Sequence, residues 1–251
     1  MGHSVLYCAG NTEACQIAAN ILAENGMVSS PVSGETPTDL LLDIPSFRPD
    51  GSLRAGGSIE TVLDALPKGI HIWGGKLGTA LQKQYPCTDL LENPAYLAGN
   101  AAITGDCALK IAGPLLKTTW SRSSVLIIGW GRIGKWLART LKGLGANVTV
   151  SARNAADRSL LEALGFTPAA PDMLPDRIPR FDVVFNTVPA PMLNEGQLSK
   201  NPALLAIDLA SQKGLDGPDV IWARGLPGVY APKASGALIA ETILRLQKEV
   251  N

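Results

Sequence analysis

The sequence predicts an α/β fold of two parallel-sheet domains. Three observations carry that prediction. Short apolar runs alternate with amphipathic stretches along the whole chain. The runs of the second half are nearly continuous in Val, Ile, Leu and Ala, as expected of strands covered on both faces. Between the first two of those runs lie Gly129, Gly131 and Gly134, spaced as GxGxxG. Such a strand–glycine–helix junction opens a dinucleotide-binding unit. The prediction is therefore two Rossmann-like domains, with the C-terminal one an NAD(P)-binding, doubly wound parallel sheet.

The elements follow in order. SVLYCA (4–9) reads as a strand and TEACQIAANILAENG (12–26) as a helix ending at a glycine. TDLLLDI (38–44) and IHIW (70–73) read as strands, with a helix at 59–66 between them. LGTALQKQY (77–85) reads as helix and CTDLL (87–91) as strand. PSFRPDGSLRAGG (45–57) is a loop, and its length marks it as functional or mobile. From Asn93 to Trp120 the chain is helix-compatible, with a break at Pro114. In the second half, strands are expected at 125–129, 146–151, 182–187, 204–210 and 221–223. Helices are expected at 132–145 and 156–165, with a closing helix at 233–250. The domain boundary falls near residue 95. Residues 1–95 form an N-terminal, substrate-side α/β domain. Residues 96–251 form the dinucleotide-binding domain, including the linker helix and the closing helix.

Composition narrows the function classes. Lys and Arg total 22, as do Asp and Glu, so no basic surplus points to nucleic acid or an anionic membrane. No apolar run is long enough for a secretory or membrane-spanning segment. Cys8, Cys15, Cys87 and Cys107 are scattered without a CxxC pair. Neither a zinc site nor a disulfide framework is expected, and free thiols suit a reducing cytosol. His3 and His71 are the only histidines. His3 is terminal and His71 alternates with isoleucines in a strand, so no metal site or His-based catalysis is expected.

In the glycine motif, the first glycine permits the tight turn. The second admits a pyrophosphate to the backbone, and the third lets helix and strand pack closely. The cofactor-binding set at this junction is Gly129, Trp130, Gly131, Arg132, Ile133 and Gly134, where helix N–H groups and dipole favour phosphates. NAD sites place a carboxylate about 20 residues further on to bind the adenine ribose. Here the second strand ends in Ser151, Ala152, Arg153 and Asn154. Ala152 stands near the acidic position. Arg153 can clamp a 2′-phosphate, and Ser151 and Asn154 can donate to it. The expected cofactor is NADP.

Two later segments follow strands at the carboxyl edge of the sheet, where open α/β folds bind ligands. FNTVPAPML (185–193) offers Asn186, Thr187, Val188 and Pro189. DLASQKG (208–214) offers Asp208, Leu209, Ser211 and Lys213. Lys233 lies at the start of the closing helix, where a cation opposes the helix dipole and so suggests an anionic partner.

The runs GWGRIGKWLARTLKGLGANVTVSAR, FNTVPAPML, IDLAS and GLPGVYAPKASGALIAETIL resemble the A subunits of bacterial dipicolinate synthase. Gly-Leu-Pro-Gly followed by Ala-Pro-Lys is the most distinctive part. The resemblance extends from about residue 100 to the end and is thin over 1–95. It implies an enzyme of the mother-cell cytosol in a sporulating bacterium. That enzyme oxidises dihydrodipicolinate, a small dicarboxylate, to dipicolinate with NADP, together with a B subunit. A homo-oligomer is compatible with this reading. Lys233, Asp106 and Asn186 become the candidate catalytic residues, and Lys213, Ser211 and Arg48 the candidate substrate contacts. The family's T-x-E-G segment appears here as Thr104-Gly105-Asp106-Cys107, and its arginine and double glycine after DLAS as Gln212, Lys213, Gly214 and Leu215. Lys213 must then replace that arginine, or the substrate differs. Two alternatives stay open. One is an oxidoreductase of another small carboxylic acid, and the other a cofactor-binding subunit without turnover.

Overall fold

The computed structural model describes residues 4–29 and 34–250. His3 lies outside them. The chain divides into two compact units, one comprising the chain to Asn100 together with the chain from Pro227, the other Ala101–Leu226.

Among the described residues the first unit holds five parallel strands: β1 (Val5–Cys8), β2 (Val28–Ser29), β3 (Asp39–Leu41), β4 (His71–Gly74) and β5 (Cys87–Asp89). Their order is β2-β1-β3-β4-β5. All pairs are parallel. Side chains alternate across a strand, so each face of this sheet builds its own core. Leu6, Leu41 and Trp73 pack with the helix Glu13–Glu24 and the closing helix Pro232–Val250. Leu40, Leu42 and Ile72 face Leu53, Ile70 and Leu77 on the other side. The sheet reverses its winding between β1 and β3, so the carboxyl ends of those two strands form its switch point.

The sequence assigns the closing helix to the second domain, and the structure places it in the first unit. Its buried face, Ile239, Ala240 and Ile243, packs in one cluster with Ala14, Ala18 and Leu22. Gly236 sits so close to the first helix that a Cβ there would meet the Ala14 carbonyl and Ile17. Amphipathic spacing specifies a buried stripe but not its partner.

The second unit holds six parallel strands: β6 (Ser124–Ile128), β7 (Asn147–Ser151), β8 (Thr167–Ala169), β9 (Val183–Asn186), β10 (Leu205–Asp208) and β11 (Ile221–Trp222). Their order is β11-β10-β9-β6-β7-β8. Counted from β6 as first, this is the 3-2-1-4-5-6 order of the dinucleotide-binding fold, with its switch point between β6 and β9. Leu126, Ile128 and Val184 pack against Leu174, Ile178 and Phe181. Ile127 meets the glycine-motif helix Arg132–Gly143, whose Leu137, Ala138 and Leu141 are fully buried. The sequence reading passes over β2 and β8. β2 has two residues, and β8 has three with Pro168 at its centre. Pro168 is tolerated because β8 is an edge strand.

Among the described residues no helix is long and apolar enough to cross a membrane, and no three His, Cys, Asp or Glu side chains are grouped to hold a metal ion.

Gly236→Val is expected to lower the unfolding free energy by about 1–3 kcal/mol through overpacking against the first helix. Urea unfolding of the full chain checks this. An unchanged midpoint would show that the closing helix is not anchored at Gly236.

Candidate cofactor site

The site begins where β6 ends. Gly129 has φ of +107°, and a Cβ there would collide with Thr187 and Val188. Its N–H donates to the Ser151 carbonyl at 2.9 Å, tying the turn to β7. A Cβ on Gly134 would strike the Gly129 carbonyl, so the third glycine is fixed by helix-to-turn packing. At Gly131, by contrast, a Cβ would meet nothing within 4 Å. Gly131 is the N-cap of the helix Arg132–Gly143 and supplies no side-chain cap. The first-turn N–H groups, including those of Arg132 and Ile133, thus lack a capping side chain and suit an anion.

Beside this turn lies a cavity of about 520 Å³, within the range of small-ligand sites. Ile128, Gly129 and Trp130 line its floor, Ser151, Ala152 and Arg153 the β7 end, and Val188, Ala190 and Met192 the loop after β9. Two buried polar atoms here have no hydrogen-bond partner: Ser151 Oγ and Trp130 Nε1. Ser151 is only 2% exposed. A buried polar group left unpaired is costly, so these atoms fit a polar ligand on this wall. The Trp130 ring meets Phe166 edge-on and carries Lys135 Nζ 5.5 Å from its centroid.

Ala152 is buried at the position of the usual acid, and Arg153 is exposed on the cavity wall. Asn154 also lines the cavity, but its side-chain oxygen is taken up as the N-cap of the helix Ala155–Ala163, accepting from Ala156 N at 2.9 Å. Two neighbours escaped the sequence reading. Asp157, in the first turn of that helix, lines the cavity as well. Arg158 donates to the carbonyls of Ala152 and Arg153, at 2.8 and 2.7 Å, and so fixes the turn that carries Arg153. Helical spacing from the Asn154 cap points both residues back over this turn, which was the signal available.

Asn186 and Asp208 are fully buried, and neighbours use all their hydrogen-bonding oxygens. Asn186 accepts from Val188 N and donates to the Val188 carbonyl and to Asp208 Oδ1, each at 3.0 Å. Asp208 also accepts from Ala210 N at 3.0 Å, Gly214 N at 2.6 Å and Leu215 N at 2.8 Å. The sequence suggests that they contact ligand; in the structure these bonds hold the loops after β9 and β10. Thr187 donates through both its N–H and its hydroxyl to the Ile128 carbonyl, each at 2.9 Å, closing the switch point. Pro189 and Leu209 do not line the cavity; Pro189 is exposed and Leu209 is buried.

Of the candidate catalytic and substrate residues in the second unit, Asp106, Asn186, Ser211 and Lys213 do not line this cavity. Asp106 is exposed and accepts the Trp136 indole N–H at 3.0 Å. Ser211 and Lys213 are exposed, and Lys213 lies 3.9 Å from Asp216. Lys233 and Arg48 belong to the first unit and are exposed. Arg48 is held to the Arg54 carbonyl at 3.0 Å, inside a self-bonded loop where Phe47 bridges Leu53. His71 hydrogen-bonds Thr88 Oγ1 at 2.9 Å, and burial holds its imidazole below the usual range. That is the behaviour of a packed strand residue.

Residues 110–203 match the family model described as D-isomer specific 2-hydroxyacid dehydrogenase, NAD binding domain. The second unit is thus of the nicotinamide-binding, dehydrogenase type. The A subunit of dipicolinate synthase from Bacillus subtilis (strain 168) is 32% identical over 180 residues, which is 68% of this chain and 61% of that protein. The chain is a relative of the dipicolinate synthase A subunits. The aligned part spans less than two thirds of that relative's length. Crystal structures of dipicolinate synthase A chains agree in fold. That from Bacillus subtilis has a TM-score of 0.81 at 24% identity, covering 100% of this chain and 97% of its own. That from Bacillus halodurans has 0.80 at 23% identity, covering 98% of each. The dipicolinate synthase likeness in fold therefore includes the first unit, where the sequence resemblance is thin.

Asp208→Asn is expected to destabilise the protein by about 1–3 kcal/mol, because an amide nitrogen would face N–H donors in a buried site. It should weaken NAD and NADP binding alike. Urea unfolding and titration of both nucleotides check this; loss of one nucleotide alone would contradict a positioning role.

Proposed function

We propose that this chain oxidises dihydrodipicolinate to dipicolinate with NADP as acceptor, working with a B-subunit-like partner. The observation that carries the cofactor part is the β7 end of the cavity. An exposed arginine, Arg153, and an unpartnered buried hydroxyl, Ser151, flank Ala152, which stands where an NAD site has its carboxylate. Arg153 would clamp the 2′-phosphate and Ser151 would donate to it. The N–H groups of Gly131, Arg132 and Ile133 would receive the pyrophosphate. When bound, the cofactor supplies the hydride acceptor. The chain's own contribution is orientation and exclusion of water by Val188, Ala190 and Met192 on the loop that Asn186 and Asp208 hold.

The substrate part rests on the relative's name and on the motifs after β9, after β10 and before the closing helix. A dicarboxylate asks for cations, and Lys213, Lys233 and Arg48 are the exposed candidates. Asp106 stays in the proposed set through the family segment it occupies, and Ser211 through the loop it shares with Lys213. A sporulating source and a mother-cell location belong to the same proposal.

One observation favours a second reading. Asp157 faces the same cavity and offers a carboxylate to an adenine ribose, as in NAD sites. The two readings separate on substitution. If NADP is the cofactor, Arg153→Ala weakens its binding about tenfold or more, the effect of losing one charge-assisted hydrogen bond, and leaves NAD unchanged. If NAD is the cofactor, Asp157→Asn weakens NAD and Arg153→Ala has no effect.

Turnover is tested with freshly generated dihydrodipicolinate and NADP, with and without a B-subunit-like protein, following NADPH and pyridine dicarboxylate absorbance. Product formation that falls in Lys233→Ala and Lys213→Ala is expected. Firm NADP binding without turnover in either mixture would instead identify a cofactor-binding protein without its own turnover.

A further inference from the structure

The switch point of the first sheet holds two thiols in contact. Cys8 is the last residue of β1, and Cys15 lies in the first turn of the helix Glu13–Glu24. Their sulfurs are 3.8 Å apart. The spacing of seven residues hides this pair in the sequence, and the β1–helix turn brings it together. Gly10 makes the approach possible, because a Cβ there would collide with Cys15 Sγ and crowd Asp43.

The two sulfurs are not equivalent. Cys8 is half-buried, while Cys15 has no exposed surface. Cys15 can donate to Cys8 and to the Leu42 carbonyl, the latter at 3.6 Å. Cys8 also receives the Gln16 side-chain amide at 3.7 Å. The hydrogen bond from Cys15 holds the Cys8 thiol below its ordinary range, against burial and Asp43. The same bond, with burial, pushes Cys15 far above its own. Two sulfurs in contact, one in a half-buried residue and held down, the other fully buried and held up, have the layout of an attacking and a resolving cysteine. Cys87 and Cys107 have no such partner among the described residues, and burial pushes both thiols up.

We propose that Cys8 and Cys15 are a redox modification site, closing to a reversible disulfide when the protein meets a hydroperoxide. Cys8 sulfur attacks one peroxide oxygen and the O–O bond breaks. Cys8 is oxidised to the sulfenic acid, and the departing oxygen leaves as water or alcohol after taking a proton. Cys15 sulfur then attacks Cys8 sulfur. The S–S bond forms, and the hydroxyl leaves as water with the proton of Cys15. The sulfurs close from 3.8 Å to the bond length of about 2.05 Å. A dithiol reductant reverses the change through a mixed disulfide. The site does not depend on the nature of the cofactor.

Glu13 lies between the two cysteines, which allows a direct test. The reduced full chain is exposed to hydrogen peroxide, its free thiols are alkylated, and it is cut with a glutamate-specific protease. The peptides carrying Cys8 and Cys15 should remain linked and separate on addition of dithiothreitol, while Cys87 and Cys107 are alkylated. Cys15→Ser should leave Cys8 as a sulfenic acid trapped by dimedone. Cys8→Ser should slow the oxidation of Cys15 by about tenfold or more. Recovery of both wild-type peptides unlinked and alkylated, or linkage of either to Cys87 or Cys107, overturns the proposal. The wild-type map decides this whether or not the variants fold.

Discussion

The buried carboxylate of Asp208 is the constraint on which the cavity of the second unit depends. A carboxylate without exposed surface must be satisfied internally, and this one takes four donors. Three are backbone N–H groups of the loop after β10, and the fourth is the amide of Asn186 at the end of β9. Gly214, drawn in by that carboxylate, accepts in turn from Met192 N at 2.7 Å. Met192 and Val188 are then cavity wall. The position of that wall is inherited, bond by bond, from one aspartate that lies outside the cavity.

The first unit uses a similar device at its own switch point. Asp43 is 2% exposed and accepts from Thr12 N at 2.9 Å, Thr12 Oγ1 at 2.6 Å and Asn11 N at 3.2 Å. It thereby ties the loop after β3 to the start of the first helix. The two units place different chemistry on this shared plan. In the second, Gly129 and Gly134 let the turn and the helix start pack closely beside the cavity. In the first, one glycine clears space for a pair of sulfurs.

The glycine motif was legible because its logic is local: a turn, a close approach and a helix start all lie within six residues. Arg153 was legible for the same reason, being the first exposed residue past β7. Asp157 and Arg158 were harder, since Asp157 reaches the cavity, and Arg158 the turn that carries Arg153, only by folding back along a helix turn. Asn186 and Asp208 were visible as polar residues at strand ends, but their pairing across 22 positions was not. Spacing says that a side chain is polar and near an edge; it does not say whether a neighbour already occupies it. The candidate catalytic Asp106 and the candidate substrate contact Lys213 show the same limit, because Asp106 finds the Trp136 indole and Lys213 finds Asp216.

The sequence by itself determined the α/β plan, the strand–glycine–helix junction and the absence of a carboxylate at the end of β7. Each depends on periodicity or on neighbours a few residues apart, which a linear chain displays directly. Only the tertiary structure decided that the closing helix belongs with the first unit, that Asp157 shares the cavity with Arg153, and that Cys8 touches Cys15. Those outcomes depend on which apolar faces and polar atoms find each other across long stretches of chain. That choice is made by packing and by the cost of leaving buried groups unpaired.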